Sequence, residues 1–226
     1  MRDNSTREHI KLAARRLFAQ RGIDGVTVRE IVAASGQKNA GSLHYYFRTK
    51  EALVSELIVD TAKLIDERRN TSLDQLEAAG GPHCLRQVLE VLVLPSLNLG
   101  KSDGEEDTYL RFISLLALQN RGLLNEVLEG GLNTGYQRCL AHIRRLAADV
   151  LPPVLEQRLV FMSISLRAIL AVREASLDQR AHPHHFWSAP DLLKNLLDAL
   201  QGMLEVPSLA AQEASPPSAD KLANAA

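Results

Sequence analysis

The stretch STREHIKLAARRLFAQRGIDGVTVREIVAASG, residues 5–36, constrains the fold more than any other part of the chain. Its apolar residues return every three or four positions, the period of a helix that buries one face, and a glycine closes each run. Ser5 followed by Glu8 has capping-box spacing; Ile10, Ala13, Ala14, Leu17 and Phe18 then share a face, and Gly22 stops the helix. Thr27 and Glu30 repeat the capping box, with Val26 and Ile31 at the positions of a hydrophobic staple, which predicts a short helix over 28–34 ended by Gly36. A third helix is expected from about Lys38 to Tyr46. Three short helices, the last two joined by a tight glycine-containing turn, form a helix-turn-helix arrangement.

Helical period continues through the rest of the chain. Thr49 is a plausible N-cap for a fourth helix reaching about Asn70, and AAGGPH marks the break after it. Helices are expected at 83–98, bent by Pro95, then at 107–120 and 122–149, the latter kinked or interrupted at Gly130, Gly131 and Gly135. Pro152 and Pro153 open a long apolar helix to about Gln179, and DLLKNLLDALQGML reads as a last amphipathic helix. No strand pattern or internal repeat is visible. The chain therefore reads as all-α: a helix-turn-helix head over 1–48, a larger helical body over 49–205, and a small, polar, Pro-bearing tail over 206–226 expected to be disordered. With 46% hydrophobic and 23% charged residues the composition is ordinary for a globular protein. The apolar runs are too short to span a membrane, and the N-terminus lacks the apolar core of a signal peptide. Cys84 and Cys139 lie far apart without metal-ligand spacing, so they read as buried free thiols in a reducing cytoplasm.

Charge is divided unevenly. Residues 1–50 hold ten Lys/Arg against four acids, a net of +6, and the remainder carries −7. A basic head on an acidic body points to a polyanion as the partner of the head. Aromatic residues make up only 4% of the chain, yet Tyr45, Tyr46 and Phe47 are consecutive and adjoin Arg48 and Lys50. Leu43 and Phe47, four apart, mark the packed face of the third helix. Three successive helical positions sweep roughly 200°, so at least one of His44, Tyr45 and Tyr46 points outward. At the start of this helix Lys38, Asn39 and Ser42 supply polar groups able to reach base edges, while Ala40 and Gly41 permit close approach. Asn39 also suits a turn or N-cap position. Lys50 opens the fourth helix, where the macrodipole disfavours a cation by about 0.3–1 kcal/mol and a bound phosphate would reverse the sign. Arg48 and Thr49 flank it.

On AARRLFAQRGIDGVTVREIVAASG followed by GSLHYYFRTKEAL, residues 7–53 resemble the DNA-binding head of the tetracycline-repressor (TetR) family of bacterial transcriptional regulators. The turn before Leu43 is one residue longer than the common pattern, which leaves open which of Gln37, Lys38, Asn39 and Ala40 face the bases. The resemblance implies that Tyr45 and Tyr46 reach phosphates and that His44 lies against DNA, with Thr27, Arg48, Thr49 and Lys50 in the same DNA-facing set.

The helix over 154–179 is apolar nearly all round, so it must be covered on two sides. The resemblance implies that it and the last helix form a four-helix interface in a homodimer. It further implies that the middle helices enclose an effector pocket, with Tyr109, Arg111, Phe112, Tyr136, Cys139 and His142 as candidate lining. Arg111, amid TYLRFISLLAL, can meet an effector anion, form an internal salt bridge or snorkel. The apolar setting favours a lipophilic or aromatic effector. The HPHH segment (His182, His184, His185) reads as a loop, and neither metal nor cofactor is expected. These features describe a cytoplasmic, ligand-responsive, non-enzymatic regulator, a repressor released from a near-palindromic operator by its effector. An all-helical enzyme and a protein-binding helical adaptor are the rival readings; the enzyme lacks a nucleotide loop, metal motif or nucleophile–base constellation.

Overall fold

The computed structural model describes residues 2–39, 41–99, 107–128, 131–178 and 185–207. Its elements are α1 (Arg2–Arg21), α2 (Val28–Ala34), α3 (Gly41–Phe47), α4 (Lys50–Ala78), α5 (Leu85–Val93) with a 3-10 turn (Leu94–Ser96), α6 (Tyr109–Gln119), α7 (Arg121–Leu128), α8 (Thr134–Leu146), α9 (Pro152–Leu177) and α10 (Leu192–Glu205). No strand occurs among the described residues. The expected disordered tail lies outside them beyond residue 207, as do His182 and His184.

Helix α1 starts three residues before Ser5, so the expected Ser5–Glu8 capping box does not form. Its buried stripe is as read: Ile10, Ala14 and Phe18 are fully buried, and Gly22 ends the helix at φ 72°. The second capping box is real. Thr27 accepts from Glu30 N and the Glu30 carboxylate accepts from Thr27 N at 2.7 Å. Gly36, at φ 73°, closes α2 in a Schellman motif, with Gly36 N on Ala33 O and Gln37 N on Val32 O, both at 3.1 Å.

Helix α3 begins at Gly41 rather than near Lys38. The Asn39 carboxamide oxygen accepts from Gly41 N at 2.8 Å and its backbone carbonyl from Ser42 N at 3.0 Å, so Asn39 forms a turn ahead of the helix. Helix α4, capped by Thr49, runs past the expected Asn70 to Ala78, because Leu73 and Leu76 continue its apolar face. A second Schellman motif stops it, with Gly80 N on Glu77 O and Gly81 N on Leu76 O. Pro95, lacking an N–H, converts the end of the expected bent helix into the 3-10 turn. The expected helix over 122–149 is two helices, with Gly131 at φ 87° between them. Gly135 is no kink: it sits buried in the first turn of α8, where a Cβ would stand 2.7 Å from Cβ of Arg69 on α4. Cys139 is fully buried, but Cys84 is exposed at the start of α5, contrary to the expectation for both thiols.

The head is joined to the body along two seams. On one, Arg7 and Lys11 of α1 pair with Glu56 and Asp60 of α4, and the Arg7 guanidinium lies 5.2 Å from the Phe47 ring centroid. On the other, α1 packs along α6: Phe18 stacks on Phe112 with centroids 6.0 Å apart, and Arg15 Nε donates to Thr108 Oγ1 at 3.0 Å. Helix α6 in turn packs on α9, α4 on α7 and α8, α8 on α5, and α10 on α5 and α9.

Candidate nucleic-acid interface and central cavity

In the head, the side chains of α3 divide by direction. Leu43 and Phe47 are buried, Tyr46 is half-buried against the core, and Tyr45 is 73% exposed with its ring edge-on to Tyr46. Tyr45 is therefore the tyrosine left to meet a partner. His44 is exposed and donates from Nδ1 to Arg48 O at 2.7 Å, closing the end of α3. Arg48 follows at φ 65°, a left-handed conformation rarely adopted by side-chain-bearing residues, and its side chain is exposed.

Two expected DNA contacts have work inside the fold. Lys50 Nζ donates to Ile23 O at 3.0 Å and Val26 O at 3.1 Å, pinning the start of α4 beneath the α1–α2 turn. Those carbonyls explain a cation at a helix N-terminus without any phosphate, and the third ammonium N–H is left over. Asn39 accepts from Gly41 N with one lone pair of its carboxamide oxygen, which ties the side chain to its own turn. A bidentate grip on adenine needs both ends of the amide, so the oxygen would have to leave Gly41 N or accept with its second lone pair. Lys38 is exposed, Ser42 half-buried, and Thr27 and Thr49 serve as caps for α2 and α4.

Sequence reasoning passed over Arg29. It lies in the first turn of α2, exposed and without a hydrogen bond or ion pair among the described residues. The signal was present, since a cation in a helix's first turn is the argument that singled out Lys50.

In the body, α4 to α9 converge on a cavity of about 290 Å³, at the small end for ligand sites. Tyr109 and Tyr136 line it, as expected. The other four candidates do not. Arg111 turns to α9, with Nε 3.2 Å from Glu174 and Nη2 2.8 Å from Asp178, the internal salt bridge rather than an effector contact. Phe112 faces Phe18 of the head. Cys139 is sealed in the core, where burial pushes its thiol up to about 11. His142 Nε2 lies 2.8 Å from Glu77.

Beside the two tyrosines, the cavity's polar lining comes from residues the sequence did not single out: Arg69, Ser96, Asn133, Ser163 and Arg167. Arg69 hides in the charged run DERRN, which reads as a solvated helix face; Arg167, within SISLRAIL, is a lone charge in an apolar helix of the kind that drew attention to Arg111. A second recess of about 550 Å³ adjoins the cavity, sharing Leu124, Leu128, Tyr136, Ser163 and Arg167 as its wall. Among the described residues, no group of His, Cys, Asp and Glu is arranged to hold a metal ion, and no helix is long and apolar enough to cross a membrane.

Residues 10–57 match the family profile described as "Bacterial regulatory proteins, tetR family". No curated protein matches the chain. A solved structure from Shewanella sp. PV-4, named as a tetR family transcription regulator, is 17% identical, with 86% of this chain and 97% of that one covered at a TM-score of 0.52; the likeness is one of fold. A TetR family transcriptional regulator from Vibrio parahaemolyticus is 20% identical, with 88% of this chain and 98% of that one covered at a TM-score of 0.47.

Proposed function

We propose that this chain, which belongs to the tetR family of bacterial regulatory proteins and is a DNA-binding transcriptional regulator, is specifically a ligand-responsive repressor. It works as a cytoplasmic homodimer, with no catalytic role, and leaves a near-palindromic operator when a small effector enters the body. The observation that carries the reading is the sorting of the head's cations. Arg7, Lys11 and Lys50 are tied inward by ion pairs or carbonyls. Arg29, Lys38 and Arg48, all on the α2–turn–α3 unit, face solvent without partners among the described residues, beside the exposed Tyr45. Cations held free around a recognition helix fit a phosphate-lined groove. In this reading Lys38 reads a base edge, and Arg29, Tyr45, Arg48 and the spare N–H of Lys50 touch phosphates.

Release follows from the place of α6. One of its faces lines the cavity through Tyr109, Leu110 and Ile113, and Phe112 carries the other onto α1. An effector that displaces α6 moves the head of each subunit and spoils the match to two successive half-sites, and operator must then weaken effector binding by the same factor.

The test uses binding isotherms on selected operator and scrambled duplexes at several salt concentrations. Lys38→Ala is expected to cost about 1–3 kcal/mol on operator and little on scrambled DNA, whereas Arg48→Ala lowers both and reduces the salt slope by about one unit. Lys50→Ala is the poorer probe, since it also breaks two bonds that hold the head together. Absence of salt-dependent duplex binding in the wild type would return the enzyme and adaptor readings to the front.

A further inference from the structure

The charged groups that line the central cavity, among the described residues, share one sign. Arg69 donates from Nε and Nη2 to Leu92 O and from Nη2 to Ser96 Oγ, leaving Nη1 without a hydrogen bond. It has no carboxylate at ion-pair distance among the described residues. The nearest candidate, Asp66, is occupied by neutral donors: Thr134 Oγ1 and Gly135 N, each at 2.7 Å, and the Asn70 amide. Arg167, at the wall shared with the second recess, has no side-chain hydrogen bond or ion pair among the described residues. Tyr109 is 5% exposed and its hydroxyl has no partner among the described residues; burial raises its pKa, so the group stays protonated and can donate. Among the described residues no Asp or Glu lines the cavity, and the rest of its described wall is mainly aliphatic, from Ile65, Leu92, Ile113, Leu124 and Leu166.

Two guanidinium groups and a phenol, all donors, thus line one chamber whose described wall holds no carboxylate. Burial already pulls the Arg69 guanidinium below its ordinary value, the mark of a cation short of compensation. A planar fork with a free edge suits a carboxylate, and the low dielectric of an apolar chamber strengthens the pairing. We infer that the effector is an amphiphilic organic anion: a carboxylate or similar group held by Arg69, Arg167 and Tyr109, on an apolar body that fills the aliphatic part of the cavity. The inference rests on the reading of this cavity as the effector site and adds its charge.

The test titrates full-length protein with two matched series, 2-naphthoate with its primary amide and its aminomethyl analogue, and decanoate with decanamide and decylamine. Calorimetry measures binding, and displacement of a labelled operator duplex is followed in parallel. In at least one series the carboxylate is expected to bind tenfold or more tightly than the amide, and the amine not at all. Arg167→Gln, which removes a side chain free of internal bonds, should abolish most of that preference, and Arg69→Met should do the same if it folds. Equal affinity of acid and amide, no binding by either acid, or a preference unchanged in Arg167→Gln would overturn the inference. The regulatory reading fails separately: acid binding that leaves the duplex bound upholds the anion site and removes its role as effector site. Release of the duplex by neutral compounds alone upholds the regulator and removes the anion.

Discussion

Glu174 on α9 is 7% exposed, and its carboxylate accepts from Leu110 N and Arg111 N at 3.0 Å and from Arg111 Nε at 3.2 Å. Asp107 and Asp178 share the site, each with one buried oxygen that has no partner among the described residues, and the same holds for the buried Nε of Arg173. Burial raises the Glu174 carboxyl to about 7, with the charge of Asp107 adding to the rise and the Arg111 contacts and Leu110 amide opposing it. The sign of the consequence follows. Between about 4.5 and 7 the folded chain keeps a proton that the unfolded chain has released, so this group lowers stability as pH rises through that window and adds no slope above it. The full effect is at most about 3 kcal/mol, at 1.36 kcal/mol per pKa unit. Denaturant midpoints from pH 5 to 7.5 should therefore fall more steeply in the wild type than in Glu174→Gln, although the variant starts less stable because its amide sets a donor against one of the α6 N–H groups. Parallel slopes would show that Glu174 does not carry the dependence. Residues of this kind were the least legible in the sequence. Arg111 and Arg167 look alike there, each a lone cation in an apolar helix, but the partner of Arg111 arrives from 63 residues away and Arg167 receives none. Only the packing of α6 on α9 distinguishes the two.

Most local helix signals were legible, although Ser5 with Glu8 misled because α1 begins before it. Thr27 with Glu30, Gly36 and Thr49 each act within four residues of where they stand, and the boundaries they set are the boundaries found. Where a boundary depends on a neighbour the sequence misleads. Gly135 read as an interruption because glycine weakens helices, yet its reason lies on α4: its N–H donates to Asp66, and the missing Cβ lets α8 approach Arg69. The same approach sets Tyr136 so that the Arg69 guanidinium lies 5.9 Å from its ring centroid, at the edge of the cavity. Gly135→Ala must push α8 off α4, because the clash is with a Cβ rather than a flexible chain end; it should lower stability by about 1–3 kcal/mol. Gly122 is the control, lying in α7 with open space where its Cβ would be. Gly122→Ala should be neutral or stabilising by up to about 1 kcal/mol. Equal effects of the two alanines in denaturant titrations would show that the α4–α8 approach is not tight.

Helix α9 buries Leu155, Leu159, Met162 and Leu170 within the subunit, yet Val160, Phe161, Ile164 and Val172 are each more than half exposed. Phe161, Ile164, Ala168 and Val172 recur at steps of three and four, one stripe along the helix. An exposed apolar stripe of this length on a charged molecule marks a contact surface. A second copy is the occupant that fits the proposed function, because the near-palindromic operator proposed for this chain would need two heads about 34–36 Å apart. The two interactions then differ in kind. Residues 51–226 carry −7, so two such bodies repel while their apolar stripes attract, and added salt should leave a dimer intact or tighten it. Residues 1–50 carry +6 and, in the proposed reading, meet phosphates, so the same salt should weaken DNA binding steeply. Sedimentation of the wild type at micromolar concentration, from low to high salt, should report a dimer throughout. The double substitution Phe161→Asp with Ile164→Asp places charge on the stripe without touching the buried side of α9, and should give monomers of unchanged helix content. Those monomers should lose most of their affinity for a two-half-site operator while binding a single half-site as before. A wild type that sediments as a monomer, or a double variant that stays dimeric, would move the subunit contact away from α9 and leave the exposed stripe for another partner.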